Sequence, residues 1–350
     1  MMEHKTEWIA AFPNSDMDGC LRVVLEQHPK EIVAAFLDLG QESGMSAKTM
    51  IVPTEGLAEL LRPSAERNDL ALLVEDFVKV RDFAEAAFVS FPALYNRYEQ
   101  MQGREPTLFV SVDGGPLQEL HAGDSLTSVL PEVPSKGYLV GHGFCSREEL
   151  DAPLALSWNE GPGTVRTVGT DECMVQKALA EVRTLRARSC GTCTFCREGL
   201  FQLEETLEGM TRPGTSPTQL DLMEEIGRAM DVSGMCTLGD AAAAPVLSAL
   251  ALSREELAAH CGRGKCPAEQ CDGFRSIYID PHKCEGAGDC MDVCPKDCIE
   301  GRPRYISMID EFECTKCGAC LAACENGAII MTSGRVPKLP TRPTRVGRFR

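Results

Sequence analysis

The placement of the cysteines constrains this chain more than any other feature. Eighteen occur in 350 residues, and only Cys20 and Cys145 precede position 173. A segment so dense in thiols is organised by metals or disulfides as much as by an apolar core. Its tightest knot is Cys190, Cys193 and Cys196, spaced as C-x2-C-x2-C and running into a helical pattern at Glu198. Three thiolates so spaced converge on one point, and the next cysteine, Cys236, supplies the fourth ligand that a [4Fe-4S] cluster requires. A helix N-terminus favours the thiolate form and the charge of the cluster. The same four residues would also suit zinc. However, zinc sites usually pair two CxxC-like knuckles, whereas three close cysteines with a remote fourth is an iron-sulfur spacing.

A second signal lies between Asp280 and Thr332. Cys314, Cys317, Cys320 and Cys324 have the C-x2-C-x2-C-x3-C spacing of bacterial ferredoxins, and Cys284, Cys290 and Cys294 repeat it with Ala287 where a cysteine would stand. In such a two-cluster module the fourth cysteine of each run ligates the other cluster. This assigns Cys294, Cys314, Cys317 and Cys320 to one [4Fe-4S] cluster and leaves Cys284, Cys290 and Cys324 for the other. Three thiolates suit a [3Fe-4S] cluster, and the alternative is a [4Fe-4S] cluster with water, hydroxide or Asp289 on the fourth iron. Cys298 is placed as a spare thiol near the intact cluster or as a small core residue.

Between these regions His260, Cys266 and Cys271 supply three ligands of a tetrahedral zinc site, with Cys173 or Cys261 as the fourth; the alternative is free thiols in a linker. No charged-then-apolar leader opens the chain and no apolar run is long enough to cross a bilayer. The expectation is a soluble protein of a reducing, anaerobic cytoplasm, with no direct membrane insertion. The net charge of −17 argues against nucleic acid as a partner.

The front of the chain is poor in metal ligands. Glu31 to Leu39 has helical period, Lys48 to Pro53 reads as a strand, and Thr54 to Leu61 and Val78 to Tyr98 read as helices, which together suit half of a doubly wound domain. No glycine-rich turn joins a strand to a helix there, so a dinucleotide or flavin site has no support in the sequence. From Pro106 the pattern changes to short strands, at Leu108 to Pro116, Leu117 to Leu120 and Gly137 to Gly141, with the short apolar segment Leu126 to Leu130 between them. This suggests a small β-grasp-like module. His121, His142 and Cys145 are read there as surface or core residues. Helical patterns at Val175 to Ala187, Glu198 to Met210, Gln219 to Met230 and Ala241 to Leu252 place the first cluster at the ends of a helix bundle. The segment from Ser333 to Arg350 has six basic residues, no acid and three prolines, and is expected to be a solvated tail or a basic arm on an acidic partner.

The run from Ser189 to Gly199 with Cys236 to Ala243 resembles the C-terminal iron-sulfur domain of the NADH-binding flavoprotein subunit of complex I and of its soluble relatives in NAD-linked and electron-bifurcating hydrogenases. Gly161 to Val165 with Asp171 to Val175 is similar to that family's approach to the cluster, and Pro106 to Leu156 resembles its β-grasp domain. The soluble relatives append a two-cluster ferredoxin after a segment matched here by Lys265 to Cys271. The resemblance implies zinc at that join and moves the choice of fourth ligand to Cys173. Residues 28 to 61 resemble only a later part of the FMN domain, so the flavin-binding front looks cut away.

The expected architecture is α+β and multidomain. Residues 1–103 would form a truncated α/β remnant of the FMN-binding domain, 104–160 a β-grasp domain and 161–260 a helical [4Fe-4S] bundle. A linker and a ferredoxin-like two-cluster domain would occupy 261–334, and a disordered basic tail 335–350. The expected function is an iron-sulfur electron-transfer subunit relaying single electrons between a partner flavoprotein and an acceptor subunit or ferredoxin. FMN and NAD are not expected to bind, and hydride transfer by the chain alone is not expected. Two other readings remain: an FMN-dependent NADH dehydrogenase subunit, and an iron-sulfur redox sensor or scaffold.

Overall fold

The structure is a computed structural model and describes residues 7–12, 19–45, 47–75, 86–121, 123–151, 163–233, 236–262, 264–333 and 336–349. The chain divides into two compact units, residues 1–207 with 218–255, and residues 208–217 with 256–350.

The first unit begins with β1 (Glu7–Ala11), α1 (Arg22–Gln27), α2 (Pro29–Ser43), β2 (Ala47–Val52), α3 (Glu55–Arg67), β3 (Ala71–Val74), β4 (Ala86–Ser90) and α4 (Phe91–Met101). The strands form a parallel sheet in the order β3-β2-β1-β4. Successive side chains of a strand point to opposite faces. Trp8, Ala10, Met50 and Val52 therefore join Val24, Phe36, Leu61 and Leu94 of the helices in one apolar core. Ile9 and Ile51 face the other way and pack with Ala86. Side-chain caps fix two of the helix starts: Thr54 accepts from the Leu57 amide at 3.4 Å and Ser90 from the Ala93 amide at 3.2 Å. The helix expected over Val78 to Tyr98 is corrected at 86–90, where the chain is a strand paired parallel to β1; residues 78–85 lie outside the described residues. Alanines favour a helix locally, but a sheet edge open beside β1 decides the outcome.

A second sheet comprises β5 (Thr107–Val112), β6 (Gln118–His121), β7 (Ser135–Val140), β8 (Gly143–Cys145) and β9 (Gly163–Gly169), in the order β6-β5-β9-β7-β8, with the helical turn α5 (Arg147–Leu150) after β8. Strand β9 runs parallel to β5 and antiparallel to β7, so it is the middle strand. The domain boundary expected at residue 160 thus falls before the centre of this sheet. Val165 of β9 is buried with Leu108, Val110 and Tyr138.

From β9 the chain enters α6 (Met174–Arg188), α7 (Thr194–Met210), α8 (Gln219–Asp231), the short α9 (Thr237–Ala241) and α10 (Ala244–Ala259), which is kinked at Ser253. Val175, Ala178, Val182 and Leu185 of α6 are buried, as are Leu200, Leu203 and Leu207 of α7 and Met223 and Met230 of α8. At this spacing they form one stripe per helix. Gly199 permits close approach of α7 and α8, since a Cβ there would lie 2.3 Å from Met230 Sδ. Buried Glu181 ties α6 to the sheet, 3.6 Å from Arg166 of β9 and 3.5 Å from His142.

The second unit holds β10 (Ser276–Ile279), α11 (Asp289–Asp292), β11 (Ile299–Glu300), β12 (Met308–Ile309), α12 (Ala319–Ala323) and β13 (Ile329–Thr332). β10 pairs antiparallel with β13, and β11 with β12. Ile277, Ile299, Ile306 and Ile329 form the core, and the cysteines pack around it. The C-terminal segment differs from the solvated tail expected of it. Ile306 donates to Thr344 O at 2.9 Å, Val346 donates to Arg304 O at 3.1 Å, and Val346 and Phe349 pack on the core. Two apolar residues and a strip of backbone partners in 304–306 suffice to order a segment that lacks a core of its own.

Candidate metal centres

The first centre is built where α6 ends and α7 begins. Cys190 lies in the turn, Cys193 and Cys196 span the start of α7, and Cys236 is the residue before α9. The Gly239 amide donates to Cys236 Sγ at 3.2 Å, and Ser189 Oγ lies 3.6 Å from Cys196 Sγ. Arg197 pairs with Glu198 at 2.9 Å and donates to Gly191 O at 2.8 Å, which holds the turn.

Burial pushes the Cys196 thiol up, the Ser189 hydroxyl opposes this, and neighbouring Cys236, Cys193 and Cys190 push it further. Burial likewise raises Cys236, the Gly239 and Leu238 amides pull it down, and Cys193 and Cys190 add to the rise. Cys196 and Cys236 thus resist ionisation first because they are buried and further because neighbouring thiols are close. A cationic iron centre relieves that repulsion, so the four-thiol set fits a [4Fe-4S] cluster.

In the second unit the two cysteine runs interleave. One cavity is lined by Cys294, Cys314, Cys317 and Cys320, with Cys298, Pro295 and Ile309. A larger one is lined by Cys284, Cys290 and Cys324, with Ala287, Asp289, Ser307 and Asn326. Burial raises Cys294, but the amides of Lys296 and Cys298 and the Cys298 thiol outweigh it and hold Cys294 below its ordinary value. Cys298 Sγ lies 3.4 Å from Cys294 Sγ and is pushed up to about 12 by burial and by that contact. Burial raises Cys290, Ser307 opposes it, and Cys284 and Cys324 raise it further. The sequence does not single out Ser307 or Asn326. Asn326 is two residues beyond Cys324 and could be sought there, whereas Ser307 lies outside both runs and has no local signal.

The zinc candidates divide between the units. His260, Cys266 and Cys271 belong to the second, are all buried, and bring their ligand atoms within 4.8 Å of one another. His260 Nδ1 faces Glu256 O at 2.8 Å, which leaves Nε2 directed at Cys271 Sγ, 3.7 Å away. This is how a carbonyl fixes the tautomer of a metal-binding imidazole. The glycine turn of 214–215 pairs with Gly262 at 2.9 and 2.7 Å and anchors the segment. Cys261 instead donates to Leu257 O at 3.7 Å. Cys173 belongs to the first unit and is buried before α6. Of the residues read as non-ligands, His121 is exposed, His142 is buried against Glu181, and Cys145 donates to Tyr138 O at 3.5 Å, its thiol pushed up to about 12 by burial.

Residues 177–260 match the NADH-ubiquinone oxidoreductase-F iron-sulfur binding region, and residues 276–328 match a 4Fe-4S dicluster domain. The chain carries both iron-sulfur domains. The first of these regions contains Cys190, Cys193, Cys196 and Cys236, and the dicluster domain contains every cysteine that lines the two cavities. The NADP-reducing hydrogenase subunit HndC of Solidesulfovibrio fructosivorans is 32% identical over 179 residues, which is 51% of this chain and 36% of that one. The F component of the NADH-quinone oxidoreductase of Mycobacterium bovis (strain ATCC BAA-935 / AF2122/97) is 34% identical over 136 residues, 36% of this chain and 30% of that one. The chain thus spans about a third of the length of these relatives. An NAD+-reducing [NiFe]-hydrogenase in the H2-reduced state shares the fold, with a TM-score of 0.57 at 17% identity over 75% of this chain and 58% of that one. No helix among the described residues is long and apolar enough to cross a membrane.

Proposed function

We propose that this chain is an electron-transfer subunit of a larger oxidoreductase. It would hold a [4Fe-4S] cluster on Cys190, Cys193, Cys196 and Cys236, and another on Cys294, Cys314, Cys317 and Cys320. A [3Fe-4S] cluster would sit on Cys284, Cys290 and Cys324. His260, Cys266 and Cys271, with Cys173 as fourth ligand, would bind zinc. When bound, the clusters supply one-electron transfer. The polypeptide holds the thiolates in place with amide and hydroxyl donors, keeps water away with Ile277, Ile299, Ile309 and Ile329, and sets Ala287 at the corner where a fourth thiolate would stand. The sheet of β5 to β9 is read as the β-grasp module, and the parallel sheet before it as a remnant of the flavin domain. The partners would be a flavoprotein and further redox subunits.

The single observation that carries this reading is the interleaving of the two cysteine runs around two separate cavities. Its test is the metal and flavin content of anaerobically purified protein, with an assay of NADH oxidation by a dye. About eleven iron atoms and one zinc per chain, with no NADH oxidation by the isolated chain, is the expected result. Stoichiometric FMN with NADH oxidation would replace the relay with a dehydrogenase.

A further inference from the structure

On a chain with net charge −17, the C-terminal segment concentrates positive charge in one place. Lys338, Arg342, Arg345 and Arg348 are all exposed, and the pairing of 344–346 with 304–306 adds exposed Arg302 and Arg304 from the strip it covers. Tyr305 organises part of this face. Arg302 Cζ stacks 3.7 Å from its ring centroid, Arg345 Cζ lies 5.8 Å from it, and Arg345 Nε donates to the Tyr305 hydroxyl at 3.2 Å. Guanidinium groups held this way present their remaining N–H donors with less loss of freedom on meeting a carboxylate.

The same strip lies against the wall of the three-thiolate cavity. Arg304 N donates to Gly286 O at 3.4 Å, and the strip passes so close that a Cβ on Gly286 would meet Tyr305 O at 2.6 Å. Gly286 and the exposed Ala287 line that cavity, beside Cys284 and Cys290, and buried Ser307 continues the strip into it. Glu285, Asp289 and Glu325 are the cavity's own carboxylates, so the positive charge comes from the flanking strip and tail. The basic residues thus border the three-thiolate cavity and do not line it.

We infer that the basic face made by Arg302, Arg304 and the C-terminal segment is the docking surface for an acidic one-electron carrier protein, which exchanges electrons with the cluster on Cys284, Cys290 and Cys324. The inference rests on the electron-transfer reading. The carrier is oxidised by one electron as the cluster is reduced by one, or the reverse, and no bond is made. A basic face steers such a partner by long-range attraction, raising the association rate by about 10 to 1,000-fold at low salt, an effect that ionic strength screens away.

The test is stopped-flow reduction of the full, cluster-loaded chain by a reduced [2Fe-2S] ferredoxin of strongly negative charge, across a range of ionic strength. Photoreduced neutral deazaflavin serves as a reductant with no charge to steer. The double variant Arg342→Glu with Arg348→Glu should lose at least tenfold in the second-order rate at low salt and most of its salt dependence, while deazaflavin reduces it as fast as wild type. Arg342→Lys with Arg348→Lys keeps the charge and should keep the rate. A ferredoxin rate independent of salt, or unchanged in the Glu variant, overturns the docking surface. So does a face that retains DNA or anionic vesicles at physiological salt without any charge-dependent ferredoxin rate. Failure of deazaflavin to reduce clusters in wild type would instead sink the electron-transfer reading itself.

Discussion

Replacing Ala287 by Cys should convert the three-thiolate centre into a complete one. Ala287 lines the three-thiolate cavity together with Cys284, Cys290 and Cys324, and it is exposed, so a thiol added to its Cβ displaces no packed neighbour. A surface change of this kind alters folding stability by no more than about 0.5 kcal/mol. Any change in metal content therefore reports ligation and not a damaged fold. Iron should rise from about eleven to about twelve per chain, and the three-iron EPR signal of the oxidised protein should disappear. Iron analysis and EPR on anaerobically purified wild type and variant decide the matter. If wild type already holds about twelve iron atoms and the variant gains none, the fourth iron is held without a fourth cysteine and the reasoning fails. Asp289→Ala then identifies the holder: loss of one iron would implicate that carboxylate, and no loss would implicate solvent.

Three further outcomes are expected. His260→Ala should lose the single zinc and leave the iron content unchanged, as read by metal analysis, since its imidazole is the only nitrogen ligand in the proposed set. Leu203→Ala, in the buried stripe of α7, should cost about 2–5 kcal/mol in denaturant unfolding, while Leu222→Ala on the exposed side of α8 should stay within about 0.5 kcal/mol. Burial alone would raise Glu204, but hydrogen bonds from Arg186 and Arg183 outweigh it and hold its carboxyl below the usual range. Its stabilising share is full above the ordinary carboxylate pKa and disappears as pH falls through the depressed value. Glu204→Gln should cost about 1 kcal/mol or less at pH 7 and progressively less as pH falls below the ordinary carboxylate range, measured by the difference in unfolding free energy.

The parts of the fold that were legible in the sequence are those fixed by local spacing. The period of Ile32, Val33 and Phe36 marks α2, Thr54 marks the start of α3, and the ladder of Leu200, Leu203 and Leu207 marks α7. The cysteine runs likewise indicate which thiols gather, because the spacing of ligands is local chemistry. What could not be read depends on partners far along the chain. Residues 86–90 look helical until β1 is beside them, about eighty residues earlier, and β9 is a middle strand only because β5 and β7 flank it. The order of the C-terminal segment is hidden for the same reason: Val346 and Phe349 need Ile306 and its neighbours, which composition does not reveal. The zinc candidates were found by residue type, whereas the orientation of His260 by Glu256 O required the helix to be built.

The dicluster domain is a repeat folded onto itself: β10 with β13, β11 with β12, and one short helix from each run. Two identical halves would make two equivalent stations, and a charge moving between equivalent stations has no preferred sense. The runs differ at one position of the motif, where Ala287 stands in the place that Cys317 takes in the other. In the proposed relay that one missing sulfur would make the stations unequal, so the polarity of the path would follow from a single methyl group.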